Sequence, residues 1–77
     1  MSFELMRLLT KAGEFLEKAQ KHAHKCGSAD DLAVWLGEEM ADWRPEYKGR
    51  QLIDRPTRAA AVRFLAGVAF GMVKGVT

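Results

Sequence analysis

Arg58-Ala-Ala-Ala-Val-Arg-Phe-Leu-Ala-Gly-Val-Ala-Phe-Gly-Met-Val-Lys-Gly-Val-Thr77 is the stretch whose reading decides the fold. Placed at helical spacing, it is apolar over about two-thirds of its circumference, well beyond the stripe that an ordinary surface helix carries. Ala61, Phe64, Leu65, Val68, Met72 and Val76 fill one side of that arc, and Val62, Ala66, Ala69 and Val73 the other. Only Arg63 and Lys74 mark a polar edge. A helix this apolar must be covered on several sides, and the rest of the sequence offers little to cover it with. The segment therefore predicts a second chain. Ala61, Phe64, Leu65, Val68 and Met72 are the expected contacts of a homodimer, the simplest closed assembly.

The sequence has 77 residues, 48% hydrophobic and 29% charged, with a formal net charge of +2. That is the composition of a globular chain, because disorder needs low hydrophobicity and high net charge. Seventy-seven residues predict one domain, 1–77, with a thin stability margin. Small proteins widen that margin with disulfides, a metal or association. The lone Cys26 cannot close an internal disulfide, and it favours a reducing, cytoplasmic setting. Glu4 and Arg7 stand where the apolar region of a signal peptide would lie, so none is read there. A membrane-spanning helix needs about 20 apolar residues. Only ten separate Arg63 from Lys74, so no membrane association is expected.

Working outward, Leu5, Leu9, Ala12, Leu16, Ala19, Ala23 and Cys26 follow alternating steps of four and three. This spacing predicts an amphipathic helix over 3–26, with Leu8 and Phe15 widening its stripe. Glu14–Lys18 and Glu17–Lys21 have the favourable i,i+4 order on the other face. Gly27 stops the helix. Ser28-Ala-Asp-Asp31 resembles a capping box and opens a second helix over 29–43, with Leu32, Leu36, Met40 and Trp43 facing inward. Pro45 disfavours helix in its predecessor. Residues 44–55 form a long connection, pinned by Tyr47, Leu52 and Ile53, with room for a short helical turn before Gly49. Asp54 caps a third helix over 56–74, with Pro56 in its first turn. The fold class is all-α: three helices of unequal length and no strands.

Charge is uneven. Residues 1–27 carry five basic and three acidic side chains, residues 28–43 five acidic and none basic, and residues 44–77 seven basic and two acidic. An acidic helix thus sits between basic elements. Internal pairing that fixes how the helices dock is one explanation, and a partner facing the acidic ridge is the other.

No arrangement of residues points to catalysis, a cofactor or a metal. His22 and Cys26 share a helical face, but His24 projects elsewhere, and two ligands do not complete a tetrahedral site. Cys26 continues the apolar stripe, where burial opposes the thiolate form. Gly67-Val-Ala-Phe-Gly71 is a G-x-x-x-G pair, which allows close approach of either the chain's own first helix or a second subunit. Trp35 points off the inward stripe among Val34, Glu38, Glu39 and Asp42. These five residues form a candidate protein-binding patch, unless the 44–55 connection folds back over Trp35. Arg44, Lys48, Arg50, Arg55 and Arg58, near Trp43 and Tyr47, form a candidate nucleic-acid surface. Glu46, Asp54 and the acidic second helix oppose a polyanion there. The expected function is a small cytoplasmic interaction protein, an adaptor or inhibitor of a larger protein, with a nucleic-acid-binding regulator as the alternative.

Overall fold

The computed structural model describes residues 3–75. Val76 lies outside the described residues, as do the side chains of Leu5 and Tyr47. Helix α1 spans Phe3–Ala23, α2 spans Ala29–Glu39 and α3 spans Arg55–Lys74. The three pack against one another as an all-α domain. Helix α3 is the central element, and it packs on α1 and on α2 more extensively than those two pack on each other.

Each helix begins and ends where local chemistry dictates. After Ala23 the chain tightens, with Lys25 N–H donating to the His22 carbonyl at 2.9 Å and Cys26 N–H to that of Ala23 at 3.1 Å. Ser28 is extended (φ −153°, ψ 164°) and its hydroxyl accepts from Asp31 N–H, satisfying an otherwise unpaired donor of α2. Asp30 and Asp31 sit at the positive end of that helix. Asp54 performs the same capping for α3, accepting from Thr57 N–H at 2.8 Å. Gly75 takes the left-handed conformation (φ 69°) that ends α3.

Helix α2 stops earlier than residue 43. Met40 is its C-cap, and the following residues turn tightly, with Trp43 N–H donating to the Met40 carbonyl at 3.1 Å. The connection then holds a small β-hairpin instead of a helical turn. Strand β1 is Glu46–Tyr47 and β2 is Arg50–Gln51, antiparallel, with Glu46 opposite Gln51 and Tyr47 opposite Arg50. Lys48 (φ 54°) and Gly49 (φ 78°) both have positive φ, the pattern of a two-residue type I′ turn. Leu52 N–H to the Pro45 carbonyl, at 2.9 Å, extends the pairing by one step.

The core divides its volume unevenly. Helix α2 and its C-cap supply the large side chains, Leu32, Leu36 and Met40, all fully buried. Helices α1 and α3 meet them largely through Ala19, Ala23, Ala66 and Ala69, whose small side chains let the backbones come close. Phe15, Cys26, Ile53 and Val62 complete the buried set. The buried seam of α1 therefore centres on Phe15, Ala19, Ala23 and Cys26. Leu9, which the heptad spacing puts in the stripe, is exposed, and Leu16 is half-buried. Leu52 is also exposed, while Ile53 anchors the connection.

Candidate interaction surfaces

Helix α3 keeps one side away from α1 and α2. Phe64 is 69% exposed and Met72 62%, although both belong to the central helix. Ala61, Leu65 and Val68 are half-buried beside them. The five residues assigned by sequence to a subunit contact thus fall partly in the chain's own packing and partly on its surface. A Cβ built at Gly67 would meet no atom within 4 Å. Close packing of this glycine on the chain's own first helix is therefore not realised, and its side of α3 is open.

A flank of α1 extends this apolar surface. Leu9, Gly13, Leu16 and Gln20 lie along one side at helical spacing, and the Gln20 amide reaches Met72 Sδ at 3.3 Å. Leu9 is 55% exposed and Met6 54%. Sequence reasoning placed Leu9 in the core and gave Met6 no role. The signal was the width of the α1 stripe: apolar residues on both flanks leave one flank outside whichever way the helix docks.

The α2 patch does not form one face. Trp35 turns toward α1, where its ring stacks on that of His22 with centroids 3.9 Å apart and planes within 6°. The 44–55 connection is not what covers it. Glu39 lies on the same side, its carboxylate 3.9 Å from Lys18 Nζ. Val34, 68% exposed, lines a groove between α2 and α3 together with Asp30, Gly37, Ala59 and Arg63. Glu38 and Asp42 are exposed. Ion pairing also departs from the simple helical pattern. Glu14 pairs with Lys11 at 3.3 Å, which leaves Lys18 to bridge from α1 to α2.

The basic residues of the connection separate in a similar way. Arg58 is part-buried, and its Nη1 donates to the Met40 carbonyl at 2.7 Å. A cation thereby meets the negative end of the α2 dipole. Arg44 and Arg55 line a cavity of about 360 Å³ with Arg58. Gln51 lines the same cavity, whereas its strand neighbour Arg50 is exposed and is not part of the lining. Lys48 occupies the turn.

Of the remaining singled-out residues, Cys26 is buried with a free thiol, His24 is exposed and His22 is held in the Trp35 stack. Among the described residues, no three His, Cys, Asp or Glu side chains gather in one place. No helix among the described residues is long and apolar enough to cross a membrane. Hydrogen bonds from the Thr57 hydroxyl and backbone N–H hold the Asp54 carboxyl below its ordinary pKa of 3.8. Comparison with known protein families, curated proteins and solved structures finds no match for this chain.

Proposed function

We propose that the chain is a small non-enzymatic interaction module of the cytoplasm that works as a homodimer and occupies a surface of a larger protein as an adaptor or inhibitor. The exposure of Phe64 and Met72 on the central helix carries this reading. Two large apolar side chains exposed on the central helix are the kind of feature that marks an association surface, and Leu9 and Met6 of α1 are exposed as well. The open side of Gly67, next to Phe64 on the helix, lets another helix backbone approach there. A two-fold contact is self-complementary, so one such face per chain is enough.

The dimer leaves α2 outward for the second partner. Val34 and Glu38 on it and Asp42 in the turn that follows are available, whereas Trp35 and Glu39 are engaged by His22 and Lys18. The buried, unpaired thiol of Cys26 accords with a reducing compartment.

Phe64→Glu and Met72→Glu test the reading by sedimentation velocity, with helical circular dichroism as the check on folding. Both side chains are exposed in the single chain, so each variant keeps its helical signal and sediments as a monomer. A dimer that persists in both variants overturns the assignment.

A further inference from the structure

Three arginines converge where α2, the hairpin and α3 meet. Arg44 follows the end of α2, Arg55 is the first residue of α3, and Arg58 lies one turn further on. They line the cavity of about 360 Å³ together with Ala41, Gln51 and Ile53, and no acidic residue is among the described lining. That volume is in the range of small-molecule pockets, about 300–1,000 Å³.

Arg58 supplies a further observation. Its Nη1 is satisfied by the Met40 carbonyl, but its Nη2 is buried and has no hydrogen-bond acceptor among the described residues. A buried cationic donor without an acceptor carries an uncompensated desolvation cost, and three guanidinium groups in one concavity repel one another. A dianionic oxyanion answers the repulsion, whereas Nη2 has no surface open to the cavity and stays closed to it while Nη1 holds the Met40 carbonyl. Such an anion provides acceptors in the planar, paired geometry that guanidinium groups favour, and its charge offsets theirs.

We propose that this cavity is a seat for a phosphate dianion, either free or as the monoester of a small organic molecule. Arg44 and Arg55, both exposed, take the phosphate oxygens and Arg58 adds its charge from the wall, while Ala41, Ile53 and the Gln51 amide face the organic part of an ester. A single phosphate fits this surface better than a nucleic-acid strand does. Neither Lys48 nor Arg50 lines the cavity, so the basic run does not gather there as one continuous track. A strand leaving the cavity over α2 would also pass the exposed carboxylates of Glu38 and Asp42. This seat is separate from the α3 face, and it stands or falls independently of the dimer.

The test is a nuclear magnetic resonance titration of the full chain with inorganic phosphate, with glycerol 3-phosphate, with sodium chloride at matched ionic strength and with a short DNA duplex. Saturable shifts of the Ala41 and Gln51 amides and the Arg58 side chain are expected with both phosphates and not with chloride. Tighter binding of glycerol 3-phosphate assigns the site to an ester, and tighter binding of inorganic phosphate to the free ion. Arg44→Ala and Arg55→Ala, both at exposed positions, each weaken binding roughly tenfold and do not lower the phosphate-free melting temperature. Shifts that chloride reproduces, or that survive both substitutions, overturn the proposal. So does duplex binding that perturbs Lys48 and Arg50 and that phosphate cannot displace.

Discussion

Arg58 joins the first turns of α3 to the end of α2, donating from Nη1 to the Met40 carbonyl oxygen at 2.7 Å. Hydrogen bonds to charged groups contribute about 1.5–3 kcal/mol, and the unsatisfied Nη2 offsets part of that here. Arg58→Ala is therefore expected to destabilise the chain by about 1–2 kcal/mol in urea unfolding. A change within error of zero would show that the contact adds nothing to stability.

Gly67→Ala separates folding from association. Glycine costs about 1 kcal/mol relative to alanine inside a helix, and a Cβ at Gly67 meets nothing within 4 Å in the single chain. The variant should gain up to about 1 kcal/mol in the stability of the monomer. It should also dimerise more weakly, because the added methyl group keeps a second helix from close approach. Dimerisation as tight as that of the unsubstituted chain would remove Gly67 from the contact.

The helices were legible because their ends are written in short-range chemistry. Ser28 and Asp54 with Pro56 act within a few residues of where they stand, whereas the first helix ends at Ala23, ahead of Gly27, which does not take a positive φ. The hairpin was not legible. Lys48-Gly49 lacks the Asn-Gly or Asp-Gly pair that announces a type I′ turn, and two-residue strands are too short to alternate. The rotation of the α1 seam from Leu9 toward Phe15 depends on where α2 and α3 dock, which the spacing of α1 alone does not contain. The same holds for Arg58. Its acceptor lies 18 residues away, so the sequence shows only a cation in a basic run. Trp35 was visible as a residue off the inward stripe, but its His22 partner is on another helix.

Acid should reveal the α3 cap. The Asp54 carboxyl is held below 3.8 in the folded chain by its bonds from Thr57. A depressed carboxyl contributes stability that is complete above its unfolded pKa and is lost as pH falls through its folded value. Asp54→Ala should therefore melt below the unsubstituted chain near neutral pH, and the gap should narrow as the pH drops below 3.8. A gap that stays constant across that range would mean that the charge is not what stabilises the cap.

The most direct measurement is the solution mass of the unsubstituted chain, by sedimentation equilibrium over a dilution series. If the outward face of α3 is a subunit contact, the mass at high concentration is twice the 8.6 kDa of one chain and falls toward 8.6 kDa on dilution, or stays doubled if the contact is tight. A mass of 8.6 kDa at every concentration, with full helical content, would contradict the account.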